Sequence, residues 1–262
     1  MQSVLAAFLG TQVLAFILTF TRLGSAMMIM PGLGDSFMPA RIRLHIALGL
    51  TLVFMPVVQQ FMPDPVPSGM ALIALIASEL VIGLLIGTVA RIFTTALDTA
   101  GMIISTQSGL ANAQVFNPSL SAQGSIIGAF LSITGVIFLF ATNIHHLLIM
   151  GIMESYQTFP ITQGIPESGT MAELISRAVS SSFSIGVKMA MPFIVMTLIM
   201  YIGMGVLARL MPQIQVIQVA LPLQILMSIV LLMIVGSALF YFWIEEYETA
   251  MIYIFSNGTV PR

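Results

Sequence analysis

One long part of the chain carries no charge, and it contains two contrasting kinds of sequence. No Asp, Glu, Lys or Arg occurs between Asp98 and Glu154. Within that part, residues 101–125 are rich in Ser, Gln, Asn and Gly, whereas apolar runs lie on either side. Backbone that is not helical cannot face lipid, because its N–H and C=O groups would lack partners. We therefore expect residues 101–125, the polar stretch, to lie in the interior of a conduit.

The composition places the chain among polytopic membrane proteins. Its 262 residues are 58% hydrophobic and 7% charged, with a mean hydropathy of +1.05, whereas a soluble domain carries about 25% charged residues. So few charges cannot cover a water-exposed surface. The net charge of −2 provides no basic surface for nucleic acid. The absence of cysteine excludes disulfides and thiolate metal sites.

Six apolar runs are candidates for membrane crossings, since a crossing helix needs about 20 residues. The connector 22–43 and the turn at Arg209 are basic, which places them on the cytoplasmic side by the positive-inside rule. With six crossings, both ends of the chain are expected outside. The runs are residues 4–20, 44–62, 70–97, 126–153, 179–207 and 213–244.

Prolines and glycines interrupt this pattern at defined places. Several of them, including Pro31, forbid one continuous helix through residues 22–43. Pro192 and Pro222 lie inside the last two runs and should kink or break the helices there. The longest hydrophilic connector, residues 154–177, is the expected domain boundary. The predicted fold class is all-α, with membrane-type helical hairpins whose helices are kinked or broken.

The third apolar run contains ionisable and small residues at a regular spacing. Glu79, Gly83, Gly87 and Arg91 recur every four residues and so lie near one face of a helix. The glycine pair would let another backbone approach closely. Glu79 and Arg91 are roughly 18 Å apart along a helix, so each needs a partner elsewhere, as does Lys188. A helix-packing role for these residues is favoured over a role in moving protons or ions.

The sequence contains no pattern that is typical of catalysis or of cofactor binding. No phosphate loop, nucleophile–base pair or Gly-x-Ser-x-Gly elbow is present, which disfavours an intramembrane hydrolase. The adjacent His145 and His146 would point about 100° apart on a helix, which makes a poor metal pair. We therefore expect no enzymatic activity, no cofactor and no metal.

The polar stretch has two interpretations. It is either a loop outside the bilayer or a re-entrant loop that blocks a pore. Its lack of charge, the bulky apolar pair Val115–Phe116 and the turn at Asn117–Pro118 favour the second. A constriction of this kind can gate a pore by excluding water.

Taken together, these features resemble the FliR/YscT/SpaR family of the type III secretion export gate, and its flagellar members most of all. The matching elements extend over most of the chain, and their order and spacing make the resemblance specific. They are the Arg22 segment with Pro31-Gly32, Pro39 with Arg41 and Arg43, Glu79 with Gly83 and Gly87, the polar stretch with Asn117-Pro118, His145-His146 before Pro160, the helix carrying Pro192, and the turn from Arg209 to Gln215.

The resemblance implies a subunit of an export gate in the bacterial inner membrane, at the flagellar basal body and in contact with membrane lipid. One copy would assemble with several copies of FliP and FliQ into the entrance of a channel for unfolded export substrates. Residues 1–165 would be FliP-like, and residues 166–262 would form a FliQ-like helical hairpin. A re-entrant loop at about residues 105–121 would plug the lumen.

The alternative function is a multi-span small-solute transporter or channel. It would be indicated by inverted repeats with acids at the membrane midplane, and no such repeat is visible.

Two sets of residues take their expected roles from this resemblance. The lumenal plug is expected to comprise Gly109, Leu110, Val115, Phe116, Asn117 and Pro118. The cytoplasmic turn, expected near the partner FlhB, comprises Arg209, Met211, Pro212, Gln213 and Gln215.

Overall fold

The computed structural model describes residues 2–63, 67, 69–111, 125–164, 166–210 and 216–257. Within these ranges the regular structure is entirely helical and includes no β-strand, which confirms the all-α prediction. The helices are α1 (Gln2–Ile29), α2 (Ala40–Val58), α3 (Met70–Gln107), α4 (Ile126–Ala141), α5 (Ile144–Thr158), α6 (Ser168–Leu210) and α7 (Val216–Asn257), with 3₁₀ turns at Gln59–Phe61 and Ile161–Gln163.

The helices have the lengths and compositions of membrane spans. Among the described residues, five segments are long and apolar enough to cross a bilayer, and α4 with α5 pass the same test as a bent pair. The described part of the chain therefore supplies up to six crossings, the number expected from the sequence. The five segments are Gly10–Ile29, Ala40–Phe61, Met70–Gln107, Ser168–Leu210 and Ala220–Phe255.

The predicted break after the first run is confirmed, and its position follows from the backbone chemistry. Helix α1 ends at Ile29, and α2 begins only at Ala40. Gly32 has a φ of 81°, in the left-handed region that glycine adopts without strain. Pro39 then precedes α2, and its fixed φ suits the residue before a helix.

The fourth apolar run is not one helix, contrary to the expectation of a single run over residues 126–153. Helices α4 and α5 meet at a bend of 75°. Between them Asn143 has a φ of 62°, and asparagine tolerates this left-handed conformation better than most residues do. The amide of Thr142 donates to Phe138 O at 2.8 Å and completes the last turn of α4.

Of the two outcomes expected at the late prolines, a kink or a break, the break does not occur. Helix α6 continues through Pro192, and α7 continues through Pro222. A proline inside a helix removes one hydrogen bond and crowds the preceding turn. In helices of 43 and 42 residues, the many remaining turns offset that local loss.

The chain divides into two compact units, and each is built from separated stretches of sequence. The first unit comprises residues 1–93, 143–179 and 248–262. The second unit comprises residues 94–142 and 180–247. The expected boundary between residues 165 and 166 concerns likeness to two partner subunits, and it stays a prediction.

Each unit has its own buried side chains. In the first unit, Leu14 and Leu18 of α1 pack with Val58 and Tyr156. In the second unit, Trp243 is 1% exposed and its ring centroid lies 5.2 Å from that of Tyr247. Aromatic pairs and aliphatic side chains thus fill the two cores, as expected for helices that pack on one another.

Candidate functional site

The polar stretch begins as the last turns of α3. The helix continues through Gly101 as far as Gln107. Ser105 and Ser108 are buried, at 4% and 0% exposed. Gly109 follows with a φ of 77°, the left-handed conformation with which glycine commonly ends a helix. The start of the polar stretch is therefore a packed helix terminus.

The local chain satisfies three of the last four carbonyl groups of α3. The last four carbonyls of a helix have no partner within the helix, so they need other donors. Here the donors come from the tight turn around Gly109. They are Ser108 N to Ile104 O at 2.8 Å, Gly109 N to Thr106 O at 3.2 Å, and Ala111 N and Ser108 Oγ to Ser105 O at 3.1 and 3.0 Å.

The remaining carbonyl, that of Gln107, is bound by side chains from two other helices, at positions that also lie in the second unit. Thr197 Oγ1 in α6 donates to it at 3.0 Å, and Gln224 Nε2 in α7 donates to the same oxygen. Both donor residues are buried, at 2% and 3% exposed. We call Thr197, Gln224 and the carbonyl of Gln107 the α3 clamp.

The far end of the polar stretch returns to α3. Ser125 is the N-cap of α4, and its Oγ accepts from Gly128 N at 3.1 Å. The same hydroxyl donates to Gly101 O at 2.9 Å. A Cβ atom on Gly101 would collide with the backbone of Gly128, so only glycine permits this approach. Both described ends of the polar stretch are thus held inside the second unit.

The two sets of residues predicted from the family resemblance fall partly within the described ranges. Of the plug set, Gly109 lies in the turn directly after α3 and Leu110 is half-buried. Of the cytoplasmic turn, Arg209 is exposed near the end of α6. The roles of both sets stay predictions. Outside the described residues lie Val115, Phe116, Asn117, Pro118, Met211, Pro212, Gln213 and Gln215.

The first unit contains a fully buried ion pair. Arg22 in α1 donates from Nε and Nη2 to the two carboxylate oxygens of Glu79 in α3, both at 2.7 Å, and both side chains are 0% exposed. Nη1 donates to Ser155 Oγ at 3.0 Å, and Nη2 to Phe159 O at 2.9 Å. The guanidinium carbon lies 3.8 Å from the ring centroid of Tyr156. We call this group the arginine cluster.

The arginine cluster satisfies nearly all the hydrogen-bonding capacity of its cation. Four of the five N–H groups of Arg22 have acceptors. The fork-shaped contact with Glu79 is bidentate, which is the strongest geometry for such a pair. An aromatic face under the guanidinium adds a cation–π contact. A buried charge is tolerated only with this kind of pairing, so the cluster fixes α1, α3 and α5 together.

Two glycines bring α3 close enough to α1 for this pair to form. A Cβ atom on Gly83 would collide with Arg22 O, and one on Gly87 would lie 2.5 Å from Ala26 O. The contacted residues on α1 have the same spacing of four as the glycines. The two backbones therefore touch along one helical turn, the close approach that small residues permit.

The other ionisable residues singled out in the sequence also have partners. Arg91, in the first unit, forms an ion pair with Asp35 at 2.8 Å and donates to Ile29 O at 3.3 Å. Lys188, in the second unit, lies 3.8 Å from a carboxylate oxygen of Glu246. The lysine side chain is 58% exposed and the arginine side chain 42%, so neither pair resembles the sealed arginine cluster.

Sequence reasoning alone does not identify the partners of these residues. Arg22 and Glu79 are 57 residues apart, and no periodicity connects them. The sequence gives one indication: charged residues are rare in the apolar helices, and an acid and a base that both lie in such helices should pair. Gln224 gives a weaker signal, since it is one of several polar residues in the last apolar run. Within the described ranges, no group of three or more His, Asp or Glu side chains could hold a metal ion.

Comparison with known proteins places the chain in a family. The bacterial export proteins, family 1, match residues 13–250. The flagellar biosynthetic protein FliR of Caulobacter vibrioides is 40% identical, over 90% of this chain and 94% of that protein. FliR of Bacillus subtilis is 29% identical, over 86% and 87%. The Yop proteins translocation protein T of Yersinia pestis is 28% identical, over 84% and 85%.

These matches span nearly the whole chain and agree with the order of motifs in the sequence. They also agree with the helical, apolar architecture of the described residues. The chain is a membrane-embedded member of the bacterial export proteins, family 1, and so belongs to the FliR/YscT/SpaR family that its sequence resembles.

Proposed function

We propose that this chain is a core subunit of the flagellar type III protein export gate, located in the inner membrane at the flagellar basal body. It forms the entrance of the export channel with FliP and FliQ, lies near FlhB at its cytoplasmic turn, and supplies a lumenal plug loop. It has no enzymatic role. The flagellar assignment is supported by the relatives named flagellar biosynthetic protein FliR.

The observation that carries the gating part of the proposal is the way the polar stretch is held. Its first residues form the last turns of α3, whose end is held by the α3 clamp. Its last residue, Ser125, is bonded back to Gly101. A segment that leaves and returns to the same helix is well placed to form a short re-entrant loop. Because it carries no charge, it can close an aqueous passage without binding ions or charged substrate strongly.

In the proposed mechanism, this protein closes the passage, and other parts of the export machine supply the energy for transport. The uncharged loop closes the passage, and its apolar pair Val115–Phe116 excludes water there, as apolar constrictions do. An unfolded substrate displaces the loop when it enters, and the energy for transport comes from elsewhere in the export machine. The protein supplies the frame, which the arginine cluster holds, and the movable seal.

The helices also leave large apolar surfaces for neighbours. In α6 and α7 a much smaller share of residues is buried than in α1, and large apolar side chains such as Leu198, Ile202, Leu226 and Met233 are exposed. Partner subunits and lipid would cover these faces. We propose that FliP and FliQ pack on these faces, in a hetero-oligomer with one copy of this chain.

The seal can be tested by deleting Gly109 to Pro118 in the complex co-expressed with FliP and FliQ. We expect the purified complex, reconstituted in planar bilayers, to conduct small ions, whereas the unmodified complex stays closed. Glu173→Ala, a change at an exposed position of α6, controls for purification and reconstitution. Unchanged conductance in a deletion variant that still co-purifies with both partners would contradict the plug role.

The assembly can be tested by native mass measurement of the co-expressed complex. We expect one copy of this chain with several copies of FliP and FliQ. A stable homodimer that binds neither FliP nor FliQ would instead favour the small-solute transporter.

A further inference from the structure

The α3 clamp joins three helices at a single oxygen atom, in the parts of those helices that belong to the second unit. The carbonyl of Gln107 accepts from Thr197 in α6 and from Gln224 in α7. Gln107 is the last residue of α3. Only Ser108 separates it from Gly109, where the backbone turns into the left-handed region. The clamp therefore acts at the point where the polar stretch leaves its helix.

The arrangement differs from an ordinary helix end. A terminal carbonyl is commonly satisfied by the following turn or by water. The preceding carbonyls of α3 follow that rule, but this one is reached by two buried side chains from distant parts of the sequence. Their separations from Gln107 are 90 and 117 residues. Two donors on one oxygen fix both the position and the direction of the helix end.

We propose that Thr197 and Gln224 are positioning residues for the seal: they hold the end of α3, and thereby couple α6 and α7 to the place where the polar stretch departs. This inference rests on the proposed gating function. A shift of α6 or α7 that separates either donor from the carbonyl frees the helix end. Conversely, a displaced polar stretch pulls on both helices.

The chemistry of the α3 clamp suits a contact that is made and broken repeatedly. All three groups are neutral, so separating them leaves no unpaired charge in a buried place. A neutral hydrogen bond changes an equilibrium by roughly fivefold. Two such bonds hold the closed arrangement firmly, and a substrate can still overcome them.

Amide exchange of the complex with FliP and FliQ tests the clamp directly. Thr197→Val removes the hydroxyl at nearly constant shape, and Gln224→Met removes the amide at similar length. We expect the amides of Ser108, Gly109 and Ala111 to exchange roughly fivefold faster in each single variant and roughly 25-fold faster in the double variant. Small-ion conductance should rise in the same order.

Two matched variants separate the clamp from a general loss of packing. Thr197→Ser keeps the hydroxyl and should exchange at the unmodified rate. Ser228 lies one turn beyond Gln224 on α7, and its hydroxyl is buried without a hydrogen bond in the described part of the chain. Ser228→Ala removes that hydroxyl and serves as the second control. This variant should also leave exchange and conductance unchanged.

The outcomes distinguish the clamp from the seal. Unchanged exchange in the double variant overturns the clamp, whatever the deletion of Gly109 to Pro118 does. Faster exchange without conductance, in a preparation where that deletion does leak, also overturns it, because the bonds would then be structural only. If the deletion itself does not leak, the gating function fails, and the amide exchange still decides whether the two residues hold the end of α3.

Discussion

The arginine cluster and the α3 clamp both hold helices together, but they do so with different chemistry. Each uses one group to hold three helices at a buried point. The cluster, in the first unit, uses the charge of Arg22 and four hydrogen bonds. The clamp, in the second unit, uses one neutral carbonyl and two hydrogen bonds. Charge thus stabilises the region we regard as a frame, and neutral contacts hold the region next to the proposed seal.

The difference lies in what happens when a contact breaks. Removing one partner of a buried ion pair leaves an uncompensated charge, which costs about 3–5 kcal/mol. Losing one neutral hydrogen bond costs about 1 kcal/mol. A region built on the first kind of contact stays together or fails as a whole. A region built on the second kind can rearrange, and the following predictions test this contrast.

The largest effect is expected at the arginine cluster. Arg22→Met removes the cation and leaves the carboxylate of Glu79 buried without its partner. We expect a loss of about 3–5 kcal/mol in the free energy of unfolding, measured by denaturant titration of the detergent-solubilised complex. The amount of assembled complex in membranes should fall with it.

A double variant sharpens the prediction. Arg22→Met combined with Glu79→Leu removes both charges and should recover most of the lost stability, because a buried pair contributes little net energy relative to apolar residues. A single variant that loses less than about 1 kcal/mol would show that water reaches the pair, and the contrast between the two regions would then be lost.

The next effect concerns the close contact of α1 and α3. Gly83→Ala places a methyl group against the main chain of α1, and such overpacking costs about 1–3 kcal/mol. Gly49→Ala, in α2, is the matched control, since no atom of the described residues lies within 4 Å of the added Cβ. It should stabilise the protein by about 0.5–1 kcal/mol. Equal changes in the two melting temperatures would contradict the close approach.

A smaller effect is expected in the second unit. Thr197→Val removes one donor of the α3 clamp and should lower the free energy of unfolding by about 1 kcal/mol, measured by the same titration. A loss as large as that of Arg22→Met would mean that the clamp is part of the rigid frame, and the division of roles proposed here would be wrong.

The smallest effect is expected at an exposed ion pair. Glu173 pairs with Arg177 one turn along α6, and the two side chains are 63% and 45% exposed. Glu173→Ala should cost about 0.3–0.5 kcal/mol, and the difference from the unmodified protein should disappear in high salt. A larger loss that persists in salt would show that this end of α6 is covered in the complex.

The sequence predicted the fold class and most helix positions because apolar runs and breakers act locally. The break before α2 follows from the conformations allowed to Gly32 and Pro39. The bend at Asn143 was missed because asparagine breaks a helix only where the neighbouring structure favours a left-handed residue. Pro222 does not break its helix, because a proline removes only one hydrogen bond and α7 is 42 residues long.

The site was predictable only as a list of residues that need partners. The spacing of Glu79 and Arg91 shows that they cannot meet, but the actual partners depend on how the helices pack. Arg22 and Gln224 reach their acceptors across 57 and 117 residues of chain. No local pattern encodes such distances. A lone charge or amide in an apolar run indicates that a partner exists and does not identify it.

The long reach of Arg22 has a consequence for how the protein is made. Glu79 follows it by 57 residues and Ser155 by 133, which at ordinary rates of synthesis means delays of about 3–11 s and about 7–27 s. A guanidinium without a counter-charge is costly in hydrocarbon. We therefore expect the first helix to wait at the membrane surface, or beside the insertion machinery, until the third helix emerges from the ribosome. The order of translation would then set the order of insertion.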